Sequence, residues 1–413
     1  MKKGGVSVNR VSIVESYVDS IFESITSAQE RKAAYIHTYG VADCCAMIAV
    51  KRGQNPELAY VCGLLHDIYS YKTGVSAFHA MNGSEMVRVA FKYELKDLFT
   101  EDEQTIIKSA LFHHSDKEHI HGEYDETLKD ADVLQHWLNS MINDAVGTSA
   151  RLINLQKELG LPLRSVPVSA QKVAPDSGLS AQKVALGSEC GVQEVMPGSN
   201  FSAHQDKKIS GFSRAALADV AEKLAAKRIC GERTDHDFME IIKYFPEKTA
   251  FDELKNGWCA AFVYHCVILA GLDIPIKYSP AAKSRFAGVA AWLEWGRDNG
   301  FCFHDQEGGG QGGWGDQSGS DSQDGRGGLT PARGDIVIYD KLIFSKDIPE
   351  DKPFNDHIGI LLSVTGDSIT VAEGNIDNKN SSGIICRKRN EKIGCYLRIP
   401  DNYQYECWHA VRL

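Results

Sequence analysis

Between about residues 10 and 158, apolar positions recur every three or four residues, the spacing that gathers them on one face of a helix. The stretches VESYVDSIFESI, AAYIHTYGVADCCAMIAVK and ELAYVCGLLHDIY each carry such a stripe, and Gly53, Gly74 and Gly83 punctuate them. Then the pattern stops. Residues 161–211 are rich in Ser, Ala, Val, Pro and Gly, and the hexamer SAQKVA occurs twice, at Ser169–Ala174 and Ser180–Ala185. A repeat this short and this few in number cannot stack into a solenoid, so the segment is predicted to be a flexible tether.

Order is expected to resume at Ser213, an N-cap for SRAALADVAEKLAAKRI. Two more helices are predicted, the second being WCAAFVYHCVILAG with Gly271 as its stop, then another around Trp292 and Trp295. The Gly-rich block EGGGQGGWGDQSGSDSQDGRGG has almost nothing to bury and reads as a disordered insertion at about 305–332. Beyond it the apolar period shortens to that of strands, in GDIVIYD, HIGILLSV, SITVAEGN, GIICRKR and GCYLRIP. Helices followed by a run of short antiparallel strands make an α+β pattern.

A chain of 413 residues exceeds one ordinary core, so two domains with connecting material are expected: 1–160, a linker at 161–211, and 212–413. The formal net charge of −10, with no Lys/Arg run interleaved with aromatics, disfavours a nucleic acid duplex as partner but not a nucleotide-sized substrate. The N-terminus has no apolar core of signal-peptide length, and no stretch reads as a membrane span. Cytoplasmic residence is therefore expected, with extracellular action only by a leaderless or phage-lysis route. Eleven cysteines, scattered without C-x-x-C pairs, fit a reducing compartment better than a disulfide framework.

The first domain presents His37, the doublet His66-Asp67, His79, the doublet His113-His114, and Asp132. A histidine on an apolar face is more often a satisfied core residue than a ligand, and His119, His121 and His136 are read as surface or supporting groups. His37 shares its stripe with Val41, Cys44 and Ile48 and so points inward, while Asp67 ends the apolar run GLLHD. Both placements cost free energy unless the polar group has a partner. Mixed imidazole and carboxylate donors suit a divalent ion such as Mn, Fe, Zn, Co or Mg, which acidifies a water and neutralises phosphoryl charge.

A helical His, then LLHD, then ALFHHS, then DADVL, in that order, resembles the HD superfamily of metal-dependent phosphohydrolases over roughly the first 140 residues. The resemblance implies an all-α domain in which His37, His66, Asp67 and Asp132 hold metal. His79 and His114 match the further histidines of members that take a second ion, so one or two ions are implied. Asp132 is taken over Asp130 because the family pattern reads A-D-x-L, and His114 over His113 because A-L-x-x-H-S places it there.

In NGWCAAFVYHC, Cys259 falls in the first turn of a helix, where unpaired N–H groups and the macrodipole favour a thiolate. A cysteine on an apolar helix is usually an inert small hydrophobe, the reading given to Cys62, Cys266 and Cys302. A base would come from His357, opening the strand HIGILLSV; Glu373 and Asn375 end the next strand. Either could orient the imidazole while the other serves an oxyanion, the arrangement of acyl transfer.

W-C-A-A-F-V on a helix, then R-G-D-I-V, D-H-I-G-I-L and A-E-G-N on strands, resembles the CHAP branch of the papain-like fold, over roughly residues 213–413. This branch is similar to the NlpC-like cell-wall peptidases. The resemblance implies Cys259 as nucleophile, His357 as base, and Glu373 with Asn375 as supporting groups. The architecture expected for the chain is thus an all-α HD-type domain followed by an α+β papain-like domain with a small antiparallel sheet. Its expected function is a bifunctional hydrolase, acting on a small phosphorylated substrate and on peptidoglycan or a muropeptide. Two alternatives stand beside it: a phage-type lysin or antagonism effector whose main activity is the cysteine domain, and a nucleotide-sensing regulator with inactive sites. No feature predicts the oligomeric state.

Overall fold

The computed structural model describes residues 9–142, 149–161, 211–246, 250–254, 257–279, 282–305, 329–343, 354–389 and 392–405. The SAQKVA duplication, all but the ends of the 161–211 tether, and most of the Gly-rich insertion lie outside the described residues. The chain clusters into two compact units, Met1–His66 with Ser109–His204, and Asp67–Lys108 with Gln205–Leu413. Residues 67–108, although in the sequence-defined first domain, group with the C-terminal half.

In order, the helices are α1 (Arg10–Glu23), α2 (Ala28–Arg52), α3 (Pro56–Leu65), α4 (Ile68–Thr73), α5 (His79–Ala90), α6 (Glu101–His113), α7 (Glu123–Ile142) and α8 (Ala150–Leu159). Beyond the tether come α9 (Arg214–Ala226), α10 (His236–Ile242), α11 (Ala250–Leu254), α12 (Cys259–Leu269) and α13 (Val289–Asp298). The strands are β1 (Cys302–Phe303), β2 (Ile336–Asp340), β3 (Asn355–Thr365), β4 (Ser368–Glu373), β5 (Gly383–Lys388) and β6 (Ile393–Leu397). Three helices (α9, α10 and α11) rather than the expected two lie between Ser213 and the Cys259 helix, and β1 is a strand the apolar pattern does not announce.

The first unit is built on α2, α3 and α7. Ser27 caps α2 by accepting from the Glu30 N–H, and Gly53 ends it in the left-handed region at φ 70°. Asn55 then caps α3, with Pro56 in its first turn. Val41, Cys45 and Ile48 of α2 are fully buried, as are Val61, Leu64 and Leu65 of α3. Burial of this kind stabilises by about 1.5–3 kcal/mol per large aliphatic side chain. Gly63 permits the close approach of these two helices, because a Cβ there would stand 2.5 Å from the Ala42 Cα. By length and hydropathy α2 is able to cross a membrane, yet half of its apolar window is buried against protein, as in a core helix. Of the three glycines read as punctuation, Gly53 and Gly74 are left-handed helix ends, whereas Gly83 lies buried inside α5.

The second unit is organised by a six-stranded antiparallel sheet in the order β1-β6-β2-β3-β4-β5. Helices α9, α12 and α13 pack on β3. Ser213 caps α9 as expected, accepting from the Ala216 N–H. On the sheet a cluster of Val337, Tyr339, Leu361, Ile369, Val371 and Tyr396 forms a core. Asp335, wholly buried at the head of β2, accepts two hydrogen bonds from Arg398 beyond β6 (2.9 and 2.6 Å), which fixes the two strands together.

Helix α5 is seated in this same unit by contacts far away in sequence. The Asn82 Oδ1 accepts from the buried Ile276 N–H at 3.0 Å, and Glu85 receives two hydrogen bonds from Arg285 (3.1 and 2.7 Å). Phe78, just before the helix, meets Tyr405 edge-on.

Candidate functional site

Helices α2, α3 and α7 bring His37, His66 and Asp132 together, with one donor atom from each lying within 4.8 Å of the others. The His37 Nε2 is 3.1 Å from the His66 Nε2 and 3.7 Å from the Asp132 Oδ1. What faces the centre is decided on the far side of each ring. His66 Nδ1 lies 2.8 Å from the Gly63 carbonyl oxygen, which can only accept, so the ring proton sits on Nδ1. His37 Nδ1 likewise donates to the Gln135 Oε1 at 2.8 Å. Held this way, the two rings bring Nε2 to Nε2 at 3.1 Å, a contact that calls for a cation or a proton between them.

Asp132 supplies the charge. Burial opposes its ionisation, but Lys117, His136, His37 and His66 together hold its carboxyl well below the usual range. Lys117 Nζ is 2.7 Å from Oδ2 and His136 Nε2 3.3 Å from Oδ1. Two nitrogens and a carboxylate, each oriented by a second contact, suit a divalent transition metal or magnesium-like ion. The residues present fit such an ion.

His114 stands beside His66 in this unit, ring edge to face at 5.3 Å, with its Nδ1 donating to the Leu111 carbonyl at 2.6 Å. His113 turns elsewhere, to Asp125 at 2.7 Å, and stacks on His121. Asp130 is likewise engaged away from the centre, by Arg52 and Arg151. In the other unit, Asp67 and His79 form a pair, with His79 Nε2 3.3 Å from the Asp67 Oδ1 and its Nδ1 donating to the Ser76 carbonyl. All four histidines read as ligands thus share one orientation, with Nδ1 tied to an acceptor.

Residues 257–389 of the second unit carry a different constellation. Cys259 opens α12 and is 5% exposed, and the preceding Trp258 offers no side-chain cap. The first intrahelical bond runs from the Phe262 N–H to the Trp258 carbonyl, so the amides of Cys259, Ala260 and Ala261 precede the helical ladder. His357, the third residue of β3, contacts the Cys259 thiol and places its Nε2 2.8 Å from the Glu373 Oε2. Nε2 being taken by the carboxylate, Nδ1 is the nitrogen left for the thiol.

Burial works against a charge on His357, yet Cys259 and Glu373 raise its pKa to about 10. Glu373 is wholly buried; burial opposes its charge, but Arg387 and His357 hold it below the usual carboxylate value. Gly359, two residues after His357, leaves the room that Glu373 fills, since a Cβ there would stand 2.8 Å from the Glu373 Cγ. Asn375 does not join this group: its side chain donates to Asn378 and accepts from the Asn380 N–H, holding the turn after β4.

Residues 34–137 match the family model of the HD domain. This segment is similar to HD domains. No curated protein and no solved structure matches the chain. HD domains bind divalent metals, and the helical N-terminal region with its His/Asp group agrees with that assignment. The HD domain also supports hydrolase activity.

Two residues at the HD centre, Gln135 and Lys117, escaped the sequence reading, and His136, read there as a surface or supporting group, does support Asp132. Gln135 and His136 follow Asp132 at i+3 and i+4, neighbouring positions on one helix face, and that spacing was the available signal. Lys117 reaches Asp132 from outside any helix, and nothing in its neighbourhood of the sequence marks it.

Proposed function

We propose that the chain is a bifunctional hydrolase, with a metal-dependent phosphohydrolase site in the HD domain and a cysteine amidase or endopeptidase site in the C-terminal half. For the HD site the reading rests on the two imidazoles turned Nε2 to Nε2 at 3.1 Å beside an ionised Asp132. In this reading His37, His66 and Asp132 would hold a divalent ion, with His114 of the same unit beside His66. The ion supplies an acidified water and offsets phosphoryl charge. Gln135 and the Gly63 carbonyl hold the rings in the ligating tautomer, and the Lys117 ammonium adds positive charge that favours a phosphate ester, a nucleotide among them.

For the C-terminal half the reading rests on His357 held between Cys259 and Glu373. His357 takes the thiol proton, and the thiolate attacks an amide carbonyl carbon while the amides at the start of α12 face the developing oxyanion. The protonated His357 then gives its proton to the leaving amine, and water, deprotonated by the same ring, releases the acyl group from sulfur. The helix-then-sheet order with W-C-A-A-F-V and D-H-I-G-I-L favours a papain-like, CHAP-type domain, and peptidoglycan or muropeptide amides are the substrates this suggests.

The test uses the full chain. Phosphomonoester and nucleotide hydrolysis with bound-metal content are compared between wild type and Asp132→Ala, and peptidoglycan fragment release between wild type and Cys259→Ala. Metal and phosphatase activity should both be lost in the first variant, by at least ~10²-fold in rate. Fragment release should be lost in the second. Retained metal in Asp132→Ala, or equal release by Cys259→Ala, would overturn the corresponding half.

A further inference from the structure

Glu373 is a wholly buried carboxylate, and His357 alone does not account for how it is held. From β5, Arg387 meets it with two parallel hydrogen bonds, Nε to Oε1 at 2.7 Å and Nη2 to Oε2 at 2.6 Å. The same Oε2 accepts from the His357 Nε2. The guanidinium is itself fixed from two other directions. Its Nη2 reaches the Asp377 Oδ1 at 3.0 Å, and its Cζ lies 5.3 Å from the centre of the Tyr339 ring. A planar fork matched to a carboxylate fixes orientation as well as charge, which a lysine ammonium cannot do.

We propose that Arg387 is a positioning residue for the cysteine site, locking the Glu373 carboxylate in the one orientation that turns the Nδ1 of His357 toward Cys259. The inference rests on the cysteine-site reading above. With its Oε1 and Oε2 both engaged by the fork, Glu373 cannot rotate away from β3, and the imidazole ring follows it. Arg387 also keeps a positive charge behind the carboxylate, so that Glu373 stays ionised in a place without water. The groups facing His357 come from every strand around it: Cys259 from α12, Glu373 from β4, Arg387 from β5, Tyr339 from β2, and Asp377 through Arg387. Removing the guanidinium frees the carboxylate and withdraws a cation from the cluster, and both changes disfavour the thiolate of Cys259.

The readout needs no substrate. The rate of Cys259 alkylation by iodoacetamide is followed from pH 4 to pH 10 by peptide mass spectrometry on the full chain, with the exposed thiol of Cys230 as internal reference. In Arg387→Met the acid limb of the profile should move to higher pH, and the rate at pH 6 should fall about 10-fold or more, while the Cys230 profile stays fixed. Arg387→Lys, which keeps charge without the fork, should lie between wild type and Arg387→Met. Arg387→Gln, which has neither the charge nor the fork, should shift the limb the same way as Arg387→Met, and serves as the second variant should Arg387→Met not fold. An acid limb unmoved in the folded variants overturns the role of Arg387. His357→Gln separates the two levels: if it removes the limb and the Arg387 variants do not, only this inference falls. If His357→Gln also leaves the profile unchanged, the cysteine-site reading falls with it.

Discussion

The molecule uses imidazole in two opposite ways, and the difference lies in which nitrogen is tied down. In the HD-like segment, Gly63 and Gln135 accept from Nδ1 of His66 and His37, so the Nε2 of each ring is turned toward the other. In the C-terminal half, Glu373 takes Nε2 of His357, and the ring is surrounded by groups that favour its charged form. Under the proposed reading the first two rings would serve as ligands and the third as a base. The chemistry of each histidine is therefore set one residue away from where it acts.

The sharpest way to break this comparison is to poison one site and read the other. Dialysis against EDTA should abolish phosphate ester hydrolysis and leave the rate of Cys259 alkylation unchanged, while iodoacetamide should do the reverse. Loss of both activities under either treatment would mean that the two histidine settings are not independent. A smaller effect comes from the back of the metal site. Gln135→Leu removes the acceptor behind His37 and should weaken metal binding about 10–100-fold, read by calorimetric titration, without touching Cys259. Unchanged affinity would show that the Gln135 contact does not set the tautomer.

The smallest effect is in stability against pH, and it has opposite signs at the two sites. His357 has a folded pKa of about 10, above the roughly 6.5 of an unfolded histidine. Its contribution is complete below the unfolded value and is lost as pH rises toward 10. The Tm of wild type should fall more steeply between pH 7 and pH 10 than that of His357→Gln. Metal binding instead needs bare nitrogens, so stabilisation by added metal should fade toward acid. Parallel Tm curves for wild type and His357→Gln would remove the charged histidine from the account.

Much of the HD centre was legible because its donors sit on regular helices, where His37 shares a stripe with Val41 and Ile48 and where Asp132 falls in DADVL. The helical first region and the five later strands follow from apolar period alone. What stayed hidden depends on contacts across long stretches of chain. In the sequence Arg387 is one of three consecutive basic residues, Arg387–Arg389, and only the pairing of β4 with β5 sets it against Glu373. Strand β1 is two residues long and exists only through its pairing with β6. Asn375, a supporting group by resemblance, has a local use instead, closing the turn to Asn380. The seating of α5 was also invisible, since Asn82 and Ile276 are 194 positions apart.

That seating bears on how such a chain is inherited and how it is dissected. The excursion from Asp67 to Lys108 leaves the first unit and is counted with the second, so no single cut separates the chain into two whole parts. A gene fragment ending near residue 160 would carry α5 without Ile276 and Arg285, leaving the Asn82 Oδ1 without the Ile276 amide and Glu85 with Arg88 alone. Orphaning one such buried group costs about 1–3 kcal/mol. Stretches cut at that point are therefore poor cassettes for recombination, and a lineage that exchanged one would have to rewrite the surface around α5.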